Sequence, residues 1–392
     1  MDKNRQYKIA LVLYTSGIDY DDRIRKEMLS IMKLYPNVSF KIFAVEPKNR
    51  EEEGVSSYGV PYRIPYLKSR DKYASASHTM AKAWDFYKTI KKDLKQFDAV
   101  WCADIETFLF VLFNKRKPLL WDLHELPGRF MHSTPMKILF RFLEKKCDVM
   151  IHANGARRQI LIEKGFVSNP DKHYVLRNYP EFNEIDSEYD ELYHKFETWL
   201  GDDKCVYLQG MVAPDRAPYE SVSSVLSFPD LKAVVVGRFD QKALEQLKQE
   251  YGEELEKRIY FTGMVKQLKT PQYIRKCFMA LVFYKNTVLN NWYCEANRFY
   301  QNILNDNPVV VGSNPPMKEL VDKYGFGVVI SSDGSNIEDI KEGIQQLISN
   351  YDTYKQNIAK HKENLLWNNQ EGVISEIVEE FSKRLTIEKS NW

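Results

Sequence analysis

The stretch from Asn291 to Ile330, NWYCEANRFYQNILNDNPVVVGSNPPMKELVDKYGFGVVI, constrains the fold more than any other part of the chain. Asn297 reads as the cap of a helix whose first turn carries Arg298, with Phe299, Ile303 and Leu304 spaced to face a core. Asn305-Asp306-Asn307-Pro308 stops that helix, because proline disfavours helical geometry in the residue before it. Val309 to Val311 then reads as a fully buried strand. A loop with Pro315-Pro316 leads into a second amphipathic helix over about Met317 to Lys323, and Gly325-Phe326-Gly327 turns the chain into a strand from Val328 to Ile330. In such a helix, strand, helix, strand unit, the helix start at Asn297-Arg298 gathers unpaired backbone N–H groups beside a fixed cation, which suits a phosphate.

The same alternation runs through the chain. Tyr7 to Tyr14 is a compact apolar strand, followed by the polar loop Thr15 to Asp22, a helix to about Leu34 and a strand from Ser39 to Val45. Ligands of such β-α-β units bind beyond the carboxyl ends of the strands, which places Ser16-Gly17 at an expected site. The loop has no GxGxxG fingerprint, which argues against a dehydrogenase. Residues 46–66 read as a polar connection. Ala74 to Gln96 reads as a lysine-rich helix, with Lys82, Lys88, Lys91, Lys92 and Lys95, either a solvated face or a contact for an anionic membrane surface.

Asp98 to Cys102 is a further strand, with Asp104 and Glu106 at its end; Pro118 to Trp121 is another, running into Asp122-Leu123-His124-Glu125. His124 is a candidate catalytic residue, since polar groups converge there at a strand end and imidazole exchanges protons near neutral pH. The first domain closes at Arg177-Asn178-Tyr179-Pro180. After an acidic stretch from Glu181 to Asp203 a second α/β series begins, giving expected boundaries of 1–182, a linker at 183–203, 204–365, and a C-terminal helix within 366–392. The architecture expected is α/β, two tandem Rossmann-like doubly wound domains with an interdomain cleft.

At 392 residues, 44% hydrophobic and 28% charged, the composition is that of a soluble protein. No window approaches the 18 apolar residues of a membrane span, the N-terminus lacks a signal-peptide pattern, and five cysteines without CxxC spacing fit a reducing cytoplasm. The net charge of +2 hides an asymmetry: residues 1–180 hold 32 Lys and Arg against 21 Asp and Glu, leaving 24 against 33 for the rest. A basic half attracts phosphates or an anionic membrane, while an acidic partner half and the lack of a binding motif argue against nucleic acid. Peripheral attachment at the inner face of the plasma membrane is the localisation that adds to a cytoplasmic one.

Several strings in order resemble GT-B fold glycosyltransferases, most closely family 4 of bacterial polysaccharide synthesis: DDRIRKE, DLHE, VLRNYP, QGMVAPDR, VVVGRF, YFTGMV and CEANRFYQNILNDNPVVVG. The resemblance implies transfer of a sugar from a nucleoside diphosphate sugar to a hydroxyl of a glycan or lipid-linked acceptor, with retention and no obligatory metal or other cofactor. Gly210 and Arg216 keep the family's diphosphate-gripping spacing, but Met211 stands where its first arginine would be. Tyr293 and Gln301 occupy the positions of a Glu-x7-Glu pattern, and Asn297-Arg298 matches an Asn-Lys pair. The implied donor site is therefore Arg216 and Arg298 with Gly210, Gly237, Arg238, Gly263, Asn297 and Gln301. His124 would lie near the sugar ring, with Gly17, Arg23, Asp104 and Glu125 on the acceptor side. The C-terminal helix, with Leu366, Val373, Ile377 and Phe381, would cross back onto the first domain. Two alternatives stay open: an inactive glycosyltransferase-like binding subunit, favoured by Met211, Tyr293 and Gln301, and a nucleotide-sugar epimerase of the same fold.

Overall fold

Two open sheets, one in each half of the chain, carry the fold. The computed structural model describes residues 5–73, 77–115, 118–181 and 191–387. They divide into a first unit, Met1–Asn178 with Gln370–Trp392, and a second, Tyr179–Asn369. Residues 183–190 of the expected linker lie outside the described residues. The helix Glu191–Leu200 follows, and its Phe196 and Leu200 enter the core of the second unit.

In the first unit the strands are β1 (Tyr7–Tyr14), β2 (Val38–Val45), β3 (Glu52–Val55), β4 (Pro61–Ile64), β5 (Ala99–Ala103), β6 (Leu119–Leu123), β7 (Val149–His152) and β8 (His173–Val175). Their order is β3-β4-β2-β1-β5-β6-β7-β8, parallel except for the β3–β4 pair. Burial on both faces explains the unbroken apolar runs: Ile9 to Leu13 of β1 are all at most 2% exposed. Residues 46–66 are thus a β-hairpin and not a bare connection. Their charged composition belongs to a sheet edge, where β3 pairs on one side only and Arg63 of β4 bridges Glu51 and Asp93 at 3.0 and 2.6 Å.

The single helix expected over 74–96 is instead divided. Lys68–Lys72 and Thr79–Ile90 are helical, His78 between them has φ +52°, and a 3₁₀ turn spans Asp93–Gln96; residues 74–76 lie outside the described residues.

The C-terminal helix Glu371–Ile387 belongs to the first unit, burying Ile374, Ile377, Val378 and Phe381. Val373 is only half-buried, and Leu366 precedes the helix. Gln370 holds the start of this segment by accepting from the Arg177 backbone N–H at 2.7 Å and donating to the Arg177 carbonyl.

The second sheet is wholly parallel: β9 (Lys204–Gln209), β10 (Leu231–Val236), β11 (Ile259–Gly263), β12 (Met279–Val282), β13 (Val309–Val311) and β14 (Gly327–Val329), in the order β11-β10-β9-β12-β13-β14. Alternate residues enter opposite core layers, Tyr207, Val234 and Val309 in one, Val206, Val235 and Val310 in the other.

Candidate functional site

In the second sheet the strand order reverses at β9, with β10 on one side and β12 on the other. Open parallel sheets bind ligands beyond the strand ends at such a switch point. Gly210, Gly237 and Gly263 stand at the ends of β9, β10 and β11 with φ of +65°, +97° and +68°. Backbone bonds tie them in sequence: Gly210 N–H donates to Val236 at 3.1 Å and Gly237 N–H to Gly263 at 2.8 Å.

Arg216, on a 3₁₀ turn after β9, donates from Nη1 to the Gly210 carbonyl at 2.9 Å. Arg298, on the helix Asn297–Leu304, donates from Nη2 to the Phe283 carbonyl at 2.9 Å. The two guanidinium groups meet beside Gly210, where an added Cβ would stand 3.0 Å from Nη1 of Arg216 and 3.6 Å from Nη1 of Arg298. Among the described residues neither forms an ion pair with a carboxylate, although Arg298 is 5% exposed. Burial, and the Arg216 cation beside it, hold the Arg298 guanidinium below its ordinary pKa. Its Nε is buried without a hydrogen bond, as are Oε1 of Gln209 and of Gln301. Two close cations with unused donors and, among the described residues, no carboxylate in ion-pair contact favour an anion as ligand.

The expected cap at Asn297 is not formed. The chain arrives extended at Ala296, so Asn297 is already the first helical residue and its side chain is exposed. Arg298 therefore acts from within the helix's first turn, through its guanidinium. Arg238 is exposed just beyond β10, and Met211 is fully buried in the core, so that position offers the site nothing polar. Tyr284, two residues beyond β12, supplies the ring beneath both arginines; it was not picked out from the sequence, where it reads as the last residue of an apolar strand over 280–284. Asp215 ties the β9 loop to the β12 loop, its carbonyl accepting from Lys285 N–H at 2.7 Å and its carboxylate from Asn291. A surface depression opens there, lined by Pro214, Asp215, Lys285, Val288 and Asn291.

The first unit brings Arg23, Asp104, His124 and Glu125 together, and adds Glu27 and Asp122. Arg23 is 6% exposed and donates to the Leu176 carbonyl at 2.8 Å and to Asp122 at 3.0 Å, with Glu27 at 2.9 Å. His124 has Asp122 at 2.9 Å from Nε2 and Asp104 at 3.3 Å from Nδ1. Asp104 also accepts the backbone N–H of His124 at 2.9 Å and of Glu125 at 3.2 Å, from a backbone with φ +61° that holds its carboxylate under the turn. Burial opposes the imidazolium, but these two carboxylates prevail and keep His124 well above its ordinary pKa. Both ring nitrogens thus face carboxylates, an arrangement that favours the protonated ring.

Burial raises the Glu27 carboxyl, while Arg23 and His124 hold Asp122 low against the same burial. Glu27, four residues after Arg23 on one helix, was the readable signal for this cluster. Glu27, Asp122 and His124 offer ligand atoms within 4.8 Å of one another, but the Arg23 guanidinium already occupies the acidic centre, a poor arrangement for a metal ion. Gly17 lies buried in the loop after β1, and Ile18 beside it donates to Glu46 at 2.9 Å.

No protein-family model and no curated protein matches the sequence. Among solved structures, the chain is similar to HepE of Anabaena in complex with UDP, at 14% identity and TM-score 0.69, over 95% of this chain and 99% of that one. It is similar to sucrose-phosphate synthase of Thermosynechococcus elongatus at 12% identity and TM-score 0.73, over 96% and 98%. A glycosyltransferase from Rickettsia africae aligns at 13% identity and TM-score 0.68, over 95% and 99%. At these identities the shared property is the fold, that of two-domain GT-B glycosyltransferases.

Proposed function

We propose that the protein is a glycosyltransferase that takes a sugar from a nucleoside diphosphate sugar and passes it to an acceptor hydroxyl, with retention, in glycoconjugate or polysaccharide synthesis. The observation that carries this reading is the pair Arg216 and Arg298, two guanidinium groups without a carboxylate partner among the described residues, meeting at Gly210 on the switch point of the second sheet. As the glycosidic bond breaks, negative charge collects on the leaving diphosphate. Cations already fixed in place stabilise that charge more than they stabilise the bound donor, which lowers the barrier.

HepE has been solved in complex with UDP-glucose, which makes a UDP-sugar the first donor to test. Gln301 would bind the ribose through its amide, and Gly237 and Gly263 would let the backbone approach the nucleotide. In the first unit His124, held by Asp104 and Asp122, would face the acceptor side, its protonated ring adding positive charge there, with Arg23 and Gly17 shaping that side.

The test is incubation with a panel of nucleoside diphosphate sugars, reading released nucleoside diphosphate by chromatography. Release from one donor, lost in an Arg216→Ala/Arg298→Gln double variant, supports the reading; equal release by that variant refutes the assigned site. A second reading, a binding subunit without turnover, is favoured by the loss of one cation at Met211, now a core residue. Tight binding of a nucleotide sugar without release would select it.

A further inference from the structure

We propose that one face of the first unit, built by the helices Thr79–Ile90, Phe108–Phe113 and Thr134–Lys146, docks onto an anionic lipid bilayer. The proposal rests on this surface alone and is independent of the donor site. Large apolar side chains stand out from all three helices: Met80 is 60% exposed, Trp84 39%, Phe113 41%, Ile138 64% and Phe142 53%. The rings of the first two helices are contiguous. Trp84 and Phe113 have ring centroids 5.4 Å apart, and Tyr87 lies 5.6 Å from Trp84 and 5.4 Å from Phe113. Lys146 joins the third helix to this group, donating to the Leu112 carbonyl while standing 5.9 Å from the Phe142 ring centroid. Ile138 sits one turn before Phe142, on the same helix face.

The rim of the patch is basic. Lys88 lies over the Trp84 ring at 5.2 Å and Lys91 over the Tyr87 ring at 5.9 Å, and Arg141 and Lys145 are exposed beside Ile138 and Phe142. The nearby acids face elsewhere: Asp93 pairs with Arg63 at 2.6 Å, Asp85 accepts from Ser69 at 2.7 Å, and Glu144 is buried with Lys172 at 3.1 Å. Amphipathic lysines around an indole and exposed aliphatic groups match the boundary between anionic headgroups and acyl chains. A second copy of the chain would oppose this positive rim with an identical one, so charge favours the bilayer as the occupant.

The full chain is to be sedimented with vesicles of phosphatidylcholine alone and of phosphatidylcholine mixed with phosphatidylglycerol. The expected result is binding to the mixed vesicles only, released by salt. Lys88→Gln and Lys145→Gln should each lower the partition coefficient about fivefold, the contribution of one basic residue near a charged membrane. Trp84→Ser with Phe142→Ser should abolish binding while thermal unfolding shows a folded protein. No binding to either vesicle, or binding that none of these variants changes, would overturn the proposal. So would a soluble dimer by light scattering that Trp84→Ser dissociates, since the face would then belong to a second copy.

Discussion

The guanidinium groups of Arg216 and Arg298 lie over one ring, that of Tyr284, at 5.5 and 4.8 Å from its centroid. The ring face offsets part of the repulsion between two close cations, and leaves their donors for a ligand. Arg298 is the more costly of the two to keep without a ligand, because it is buried without a carboxylate partner among the described residues. Arg298→Gln should therefore leave the ligand-free protein equally stable or more stable by calorimetry. The same change should weaken nucleoside diphosphate binding by roughly 1.5–3 kcal/mol, the range for a hydrogen bond to a charged group. A clear fall in ligand-free stability would show that the arginine is structural.

Gly210 is the backbone on which the pair converges. With φ +65° and Arg216 Nη1 3.0 Å from a would-be Cβ, Gly210→Ala must strain the backbone and displace a guanidinium. A loss of about 1–2 kcal/mol in denaturant unfolding is expected from the backbone alone. Nucleotide affinity should fall with it, and unchanged affinity would separate Gly210 from the site.

Asp122 is fully buried and shared by Arg23 at 3.0 Å and His124 at 2.9 Å. Asp122→Asn removes the carboxylate that the two groups share, leaving Arg23 with Glu27 and His124 with Asp104. The expected cost is about 3–5 kcal/mol in urea unfolding, as for a buried ion pair that loses one partner. A cost below about 1 kcal/mol, the value of an exposed pair, would contradict the burial of the cluster.

The histidines set opposite pH limits. His152 and His173 bond to each other at 2.8 Å, and His173 faces Glu144 at 3.3 Å. Burial holds both histidines below their ordinary pKa, so the unfolded chain binds more protons than the folded one as pH falls below about 6.5. Stability present above that pH is then lost toward the folded values, at about 1.4 kcal/mol per pH unit for each group. His124 is raised instead: its contribution is full below about pH 6.5 and is lost as pH rises through its folded value. Unfolding followed against pH should peak between these limits. His173→Gln should flatten the acid arm only; an unchanged acid arm would remove the pair from the account of acid sensitivity.

Much of the sheet architecture was legible because strands buried on both faces leave unbroken apolar runs, as Val309–Val311 and Met279–Val282 do. The β3–β4 hairpin was not, since an edge strand such as Glu52–Val55 carries the charges of a loop. Arg216 and Arg298 were picked out by spacing and resemblance, but nothing in the string says that Arg298 is buried, because an arginine on an amphipathic helix reads as surface. The cap assigned to Asn297 failed for a related reason: capping depends on where the backbone becomes helical, which is at Asn297 itself, so the cap position falls one residue earlier on the extended Ala296. His124 was visible as a candidate, while its role depended on Asp104, whose positive φ carries a carboxylate to the imidazole from another strand end.

The most direct measurement is calorimetric titration of the purified chain with UDP, GDP, ADP, CMP and dTDP, alongside Arg216→Ala. The expected result is micromolar binding of one nucleoside diphosphate, UDP first among them, and a loss of roughly 10- to 150-fold in affinity in the variant. Binding that Arg216→Ala leaves unchanged, or no binding by any of the five, would contradict a diphosphate site at Arg216 and Arg298.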